Sequence, residues 1–241
     1  MSQLVFIHGP GAGGCAEGYH YQLKHFPGSL APDLPGHPEG KSMSTVADYT
    51  EWLRGWLHKG GHKRDLVLVG FTLGACVALQ YALDYPKEVS GLLLMTVAMR
   101  PKERAPGSLE FRLNAGKDGK THQEWLDAMR HAMMFIDDDL TEQLIECHQK
   151  VGPISQYNDL MTIDNFDVRD RIGELKAPLT LIRGMDDPGK PAEYELEIHQ
   201  AVPGSKYIKL RKAGHFPMAE RPDDVNKAIE ELITLTASVE A

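Results

Sequence analysis

The sequence has few of the features that mark secreted, membrane-bound or nucleic-acid-binding proteins. Only three of its 241 residues are cysteines, and the spacing of Cys15, Cys76 and Cys147 fits neither a disulfide framework nor a metal site. The first residues lack the charged segment and long apolar run of a signal peptide, and no later stretch is long and apolar enough to span a membrane. We therefore expect a cytoplasmic protein without a membrane partner.

An excess of basic residues is also missing. The chain has 26 Lys and Arg residues against 34 Asp and Glu residues, a formal net charge of −8 at pH 7, and its basic residues are scattered. Nucleic acid is therefore not an expected partner. The histidines show no metal-ligand spacing, so we expect neither a metal nor an organic cofactor. Nothing in the sequence indicates an oligomeric state.

Short apolar runs alternate with amphipathic segments, which is typical of a doubly wound parallel sheet covered by helices on both faces. We predict strands at residues 4–7, 29–31, 65–69, 89–95, 179–182 and 206–210. Helical periodicity follows Gly70 as far as Tyr85, and further helices are predicted at residues 45–58, 122–135, 140–151 and 223–235. The fold class is therefore α/β.

Residues 100–171 contain no good candidate for a buried strand, and helical segments rich in Met, His and charged residues occupy them. No linker or repeat interrupts the chain. We predict one domain with a core at residues 1–99 and 172–241 and a helical insertion at residues 100–171.

The first candidate site is a glycine-rich segment, Gly9-Pro10-Gly11-Ala12-Gly13-Gly14, directly after the first predicted strand. Its G-x-G-x-x-G pattern is that of a dinucleotide-binding turn. Pro10 has no N–H to offer a pyrophosphate, and the downstream Asp33 lies in a proline-rich turn. A plain glycine turn is the third interpretation.

The second candidate site is Gly70-Phe71-Thr72-Leu73-Gly74, between a strong strand and a strong helix. Small residues at both ends let the chain turn sharply and expose the central side chain, as in the nucleophile elbow G-x-S-x-G. The N–H of Leu73 would then point at an oxyanion near the start of the helix. A threonine that only caps the helix is the alternative.

Two further segments follow the last predicted strands. Asp186 and Asp187 lie in a turn after residue 182, where a carboxylate could orient a histidine or could simply be solvated. His215 lies in the loop after residue 210. The order Thr72, Asp187, His215 matches the hydrolase order of nucleophile, acid and base.

Together these segments resemble the α/β-hydrolase family over essentially the whole chain. His8-Gly9 resembles the oxyanion loop of that family, residues 33–37 its D-x-x-G-x turn, residues 70–74 its elbow, and the insertion at 100–171 its helical cap. The dinucleotide interpretation explains none of the later segments.

The resemblance implies a role for each matching residue. Thr72 takes the place of the nucleophile, Asp187 rather than Asp186 that of the acid, and His215 that of the base. The oxyanion hole would be formed by the N–H groups of Leu73 and of the loop residue after His-Gly. That residue is Pro10, which has no N–H, so either Gly11 substitutes for it or the hole rests mostly on the N–H of Leu73.

Pro10 is one departure from the family, and Thr72 is a second, because it stands where the family has serine. Its hydroxyl has an acidity similar to that of serine, but its methyl group stiffens χ1 and crowds the path of attack. The substrate pocket is expected to include the following apolar side chains, which could alternatively only pack the insertion onto the core: Phe71, Trp125, Met129, Met133 and Phe216.

The expected function is hydrolysis of a small-to-medium ester or thioester, a small-molecule acyl substrate, through an acyl-enzyme formed on Thr72. Two alternatives stay open. One is a non-covalent, lyase-like catalyst in which Thr72 only hydrogen-bonds the substrate. The other is a ligand-binding member of the family with a degenerate or engineered Ser-to-Thr elbow.

Overall fold

In the computed structural model, one parallel sheet forms the centre of the molecule. The structure describes residues 2–11, 16–188 and 193–239, so Cys15 and most of the glycine-rich segment lie outside the described residues. Within those ranges five strands pair in the order β1 (Gln3–Ile7), β2 (Leu66–Phe71), β3 (Val89–Met95), β4 (Leu179–Gly184) and β5 (Lys206–Leu210). The predicted α/β fold class is confirmed.

The strand predicted at residues 29–31 is reduced to a single bridge. Leu30 pairs in parallel with Val5 at the outer edge of β1, and the backbone N–H of Leu30 donates to the carbonyl of Leu4 at 2.9 Å. The prediction of a full strand there was wrong because the chain leaves the sheet at once into the proline-rich turn that follows.

Helices cover both faces of the sheet and most of the segment between β3 and β4. Their bounds are α1 (His20–His25), α2 (Val46–Lys59), α3 (Leu73–Asp84), α4 (Ser108–Ala115), α5 (Gly119–Ala132), α6 (Asp138–Asp164), α7 (Tyr194–Ala201), α8 (Pro217–Glu220) and α9 (Pro222–Val239). Short 3-10 helices lie at Ala16–Tyr19 and Ile172–Glu174.

Alternate side chains of each strand enter two separate cores. Val5, Leu68 and Leu94 pack with α2 and α3 on one face. On the opposite face Phe6 and Val69 pack with α9 and with buried residues of α5 and α6. This alternation explains why the central strands are apolar throughout, since a parallel sheet is buried on both faces.

Helices α4, α5 and α6, here called the cap helices, lie between β3 and β4 in the sequence. A buried hydrogen-bonded pair ties them to the core: Nε2 of His37 lies 2.6 Å from Oδ2 of Asp159, and both side chains are fully buried. The hydroxyl of Tyr49 donates to the other oxygen of Asp159 at 2.9 Å. The predicted division of the chain into a core and a cap stays a prediction. None of the described helices is long and apolar enough to cross a membrane.

Candidate active site

A strained turn at Thr72 joins β2 to α3. Thr72 has φ 46° and ψ −107°, a conformation that a β-branched residue rarely adopts. The flanking glycines make the turn possible, because a Cβ on Gly70 would lie 2.5 Å from the carbonyl oxygen of Gly74 and one on Gly74 would lie 2.0 Å from that of Ile7. This is the local geometry predicted for a nucleophile elbow.

The hydroxyl of Thr72 is turned toward the loop after β1. Thr72 is only 4% exposed, and its Oγ1 has no hydrogen-bond partner among the described residues. A Cβ placed on Gly9 would lie 1.9 Å from this oxygen, so the hydroxyl packs directly on the Gly9 backbone. The hydroxyl therefore makes no hydrogen bond to His215 in this structure.

His215 is paired with a carboxylate in the loop after β4. Its Nδ1 lies 2.8 Å from Oδ2 of Asp187, whose side chain is 5% exposed. The neighbouring Asp186 is engaged elsewhere, since its carboxylate accepts the backbone N–H of Lys212 at 2.9 Å. Because Nδ1 faces Asp187, the imidazole Nε2 points away from that carboxylate, which is the orientation that a general base requires.

A buried glutamate holds the loop that carries His215. Oε2 of Glu220 accepts the backbone N–H groups of Gly214 at 2.6 Å and of Phe216 at 3.2 Å. Burial raises the pKa of the Glu220 carboxyl to about 7, although these two hydrogen bonds act in the opposite direction. Thr96, which follows β3, donates a weak hydrogen bond of 3.4 Å to the carbonyl of His215.

The two segments predicted to form the oxyanion hole, the start of α3 and the loop after β1, offer different backbone N–H groups. Leu73 is the first residue of α3, so its N–H has no acceptor inside the helix, and no described backbone carbonyl accepts it. Pro10 lies in the wall of the cavity and offers no N–H. Gly11 has φ 67° and packs against His148, whose Cε1 would lie 2.1 Å from a Cβ on that glycine.

His8, at the start of the same loop, has a structural environment. Its Nε2 accepts the backbone N–H of Leu34 at 2.8 Å, and its ring packs edge-on against that of His37. Burial, and then the neighbouring His37, lowers the pKa of His8 to about 3, so its ring is neutral at physiological pH. His8 thereby fixes the position of the loop that faces Thr72.

A cavity of about 340 Å³ lies over the elbow and the histidine loop. Its wall includes Thr72, Asp187 and His215 from the core, and Met129, Gln156 and Arg112 from the cap helices. The volume is at the lower end of the range for small-molecule sites. The described residues contain no cluster of His, Cys, Asp or Glu that could hold a metal ion.

Two of the five side chains predicted to form the substrate pocket, Met129 and Phe216, line this cavity. The other three do not. Phe71 is 1% exposed and packs against the rings of His215 and Phe216, at centroid distances of 5.3 and 5.4 Å. Trp125 is fully buried against His148, and Met133 is 4% exposed. These three large side chains are buried in the core instead of lining the cavity, because the removal of apolar surface from water stabilises the fold.

The family assignment follows from a match of residues 4–228 to the alpha/beta hydrolase family model. The chain belongs to the alpha/beta hydrolase family. One curated relative is a 2-hydroxy-6-oxo-6-phenylhexa-2,4-dienoate hydrolase from Comamonas testosteroni, 24% identical over 248 residues, which cover 93% of this chain and 85% of the relative. Another is a pimeloyl-[acyl-carrier protein] methyl ester esterase from Photobacterium profundum, 26% identical over 251 residues, with 96% and 94% covered. The homologues indicate hydrolase activity.

Solved structures of low sequence identity share the fold. A thermophilic esterase from Thermogutta terrifontis is 21% identical and superposes with a TM-score of 0.79, covering 98% of this chain and 90% of the esterase. At this identity the likeness concerns the architecture alone.

Several polar residues near the cavity were not found from the sequence. Glu220 lies five residues after His215, and its contact with the loop that carries the histidine was not predicted from the sequence. Arg112 and Gln156 belong to different cap helices and meet only in the folded chain, with Nε of Arg112 donating to Oε1 of Gln156 at 2.7 Å. The short spacing between His215 and Glu220 is a sequence signal for contact between Glu220 and the histidine loop, whereas the pairing of Arg112 with Gln156 has no sequence signal.

Proposed function

We propose that the protein hydrolyses small-to-medium carboxylic esters or thioesters through an acyl-enzyme intermediate. Thr72 attacks the carbonyl carbon, His215 takes the hydroxyl proton through Nε2 and returns it to the leaving group, and Asp187 stabilises the imidazolium cation. Water then attacks the acyl-threonine ester, again with His215 as the base. The observation that carries the proposal is the 2.8 Å pairing of His215 with Asp187 on the wall of the cavity that contains Thr72.

The oxyanion of the tetrahedral intermediate is assigned to the N–H of Leu73, with Gly11 as the second donor. The dipole of α3 adds to the stabilisation at that position. Gly9 is essential to this arrangement because any side chain there would collide with the Thr72 hydroxyl. The names of the curated relatives, a methyl ester esterase among them, support an acyl substrate.

The proposal is tested by turnover of 4-nitrophenyl acetate and butyrate. His215→Ala is expected to lower kcat by at least about 1,000-fold, because the general base is lost. The exposed His131, on cap helix α5, supplies the matched control, and His131→Ala is expected to keep the wild-type rate. Equal rates for wild type and His215→Ala would refute the catalytic role of His215.

One observation favours a second candidate function. Because the Thr72 hydroxyl makes no hydrogen bond to His215, a mechanism in which His215 activates water directly and Thr72 only contacts the substrate is also compatible with the geometry. Thr72→Ala separates the two mechanisms. The acyl-enzyme mechanism predicts that this variant is inactive, whereas direct attack by water predicts that it keeps most of the wild-type activity.

A further inference from the structure

Three basic side chains line the cavity, and they differ in their partners. Nε of Arg104 pairs with Oδ2 of Asp164 at 2.5 Å, and Nζ of Lys102 donates to the carbonyl of Thr96 at 2.7 Å. Arg112 also lines the cavity but forms no ion pair with any carboxylate in the part of the chain that the structure describes. Its charge therefore has no partner within that part of the protein.

The guanidinium of Arg112 is held in one orientation by neutral acceptors. Nε donates to Oε1 of Gln156 at 2.7 Å, and Nη1 donates to the carbonyl of Ser108 at 2.6 Å. Gln156 is fixed in turn by the indole N–H of Trp125, which donates to the same oxygen at 2.8 Å. Nη2 makes no hydrogen bond to a described residue, so both of its N–H groups stay available for an anion.

The charge on this guanidinium persists at neutral pH. Burial, and then the neighbouring positive charge of Arg104, lowers the pKa of Arg112 to about 10, which still leaves the group protonated. His148, which stacks on Trp125, is neutral because burial lowers its pKa to about 3. A partly desolvated cation without a counter-ion is unfavourable by itself, and an anion from outside the chain would relieve this cost.

We propose that Arg112 binds a carboxylate carried by the substrate, remote from the bond that is hydrolysed. The inference rests on the proposed function, because Arg112 lines the same cavity as Thr72 and His215. It names the substrate class as esters or thioesters that bear a second, ionised carboxyl group. A carboxylate fits better than a phosphate because its single negative charge matches the one unpaired cation, whereas a more highly charged anion would require more unpaired donors.

Direct binding tests the anion site without any turnover. Adipate and the neutral adipamide are titrated by calorimetry at constant ionic strength into wild type, Arg112→Gln and Arg130→Gln. Arg130 is the matched control because it lies on the outer side of a cap helix and pairs with Glu142. Adipate is expected to bind wild type and Arg130→Gln about 10- to 100-fold more tightly than Arg112→Gln. A change of less than threefold in Arg112→Gln, or equal affinity of wild type for adipate and adipamide, would overturn the proposal.

A kinetic comparison locates the carboxylate within the substrate. The values of kcat/KM are measured for mono-4-nitrophenyl adipate, with the carboxylate on the acyl chain, for 4-carboxyphenyl hexanoate, with the carboxylate on the leaving group, and for neutral 4-nitrophenyl hexanoate. For one of the two acidic esters, Arg112→Gln is expected to lower the ratio of its kcat/KM to the kcat/KM of the neutral ester by at least about 10-fold. Arg112→Lys should keep part of that ratio, because it retains the charge but loses the guanidinium that Gln156 and Ser108 hold in place.

The two arms separate this inference from the proposed function. If adipate binding depends on Arg112 but wild type hydrolyses none of the esters, the anion site stands and the hydrolase proposal fails. A second outcome is that wild type hydrolyses the neutral ester, while Arg112→Gln changes neither the affinity for adipate nor the ratio of kcat/KM for the acidic esters to that for the neutral ester. In that case the hydrolase proposal stands and the carboxylate site is refuted.

Discussion

At Thr72, one side chain combines a strained backbone with a hydroxyl that makes no hydrogen bond to its expected base. The hydroxyl lies against Gly9, and any rotation about χ1 that brings it to His215 also moves the methyl group around the crowded Cβ. A serine would make the same movement without relocating a methyl group. On the proposed mechanism, the methyl group of Thr72 is therefore expected to slow the attack.

The first prediction concerns this methyl group. Thr72→Ser is expected to raise kcat/KM for 4-nitrophenyl butyrate by at least about 10-fold, equivalent to about 1.4 kcal/mol of activation free energy. Steady-state kinetics measure the effect, and circular dichroism of both proteins controls for folding. A variant no faster than wild type would show that the methyl group does not limit the attack.

A second prediction at the residue scale follows from Glu220. Its pKa is raised in the folded protein, so the folded state binds more protons than the unfolded state between about pH 4.5 and pH 7. The stability that this carboxyl contributes is therefore present at low pH and lost as the pH rises through about 7. Glu220→Gln, which cannot ionise, lacks this pH dependence.

Urea unfolding at pH 5 and pH 8 measures the effect. The free energy of unfolding of wild type relative to Glu220→Gln should fall by about 2 kcal/mol over that interval, after allowance for solvent screening. The exposed Glu142, in Glu142→Gln, is the control and should give a much smaller change. A difference between wild type and Glu220→Gln that is independent of pH would contradict the raised pKa.

At the scale of the elements, close backbone contact between α3 and β1 positions the elbow. Gly74 allows this contact, because a Cβ there would lie 2.0 Å from the carbonyl oxygen of Ile7 and 2.5 Å from that of His8. Gly55, inside helix α2, is a matched counterpart because a Cβ there meets nothing within 4 Å. Substitution by alanine should therefore lower the stability of the protein at Gly74 and raise it at Gly55.

The third prediction compares Gly74→Ala with Gly55→Ala. Gly74→Ala is expected to lower the free energy of unfolding by about 3 kcal/mol, because the added methyl group would overlap the backbone of β1 and neither β1 nor α3 can move apart easily. Gly55→Ala is expected to raise it by about 0.5–1 kcal/mol through helix propensity. Chemical denaturation measures both, and destabilisation of similar size in the two variants would contradict the packing described at α3.

The elements also show which parts of the fold a sequence can predict. β3 and β5 have the predicted bounds because each is a compact run with a turn on either side, whereas α4 and α7 were missed because each is only eight residues long. The helix predicted at residues 140–151 ends where expected, because Gly152 is non-helical. A second helical segment then begins at Pro153 and runs to Asp164, and it was missed because a proline is tolerated in the first turn of a new helix.

At the scale of the whole molecule, the cap helices are joined to the core by the buried pair of His37 and Asp159. Both side chains are fully buried, and Tyr49 also donates to Asp159. Removing one member of such a pair leaves the other polar group desolvated without a partner, which costs far more than losing an exposed ion pair.

The fourth prediction is that Asp159→Ala lowers the free energy of unfolding by about 3–5 kcal/mol. Glu142→Ala, on the same helix but in the exposed pair with Arg130, should cost less than about 1 kcal/mol. Thermal unfolding measures both, and a loss of about 3 kcal/mol corresponds to a fall of roughly 6–12 °C in Tm. Equal losses would show that the buried pair does not stabilise the contact between cap helices and core.

The candidate site could be predicted from the sequence only where its residues follow strands. Thr72, Asp187 and His215 each lie just after a strand, and parallel strands bring those ends to one edge of the sheet. Arg112 and Gln156 belong to the cap helices, whose packing against the core has no local signature, so their place in the cavity required the structure.

The most direct test of the central proposal is the detection of an acyl group on Thr72. Wild type is mixed with excess 4-nitrophenyl butyrate, quenched with acid within milliseconds to seconds, and analysed by intact and peptide mass spectrometry. The acyl-enzyme mechanism predicts a butyryl adduct on the peptide that contains Thr72, absent from Thr72→Ala, which has lost turnover. An unmodified peptide in wild type, together with full turnover by Thr72→Ala, would contradict nucleophilic catalysis by Thr72.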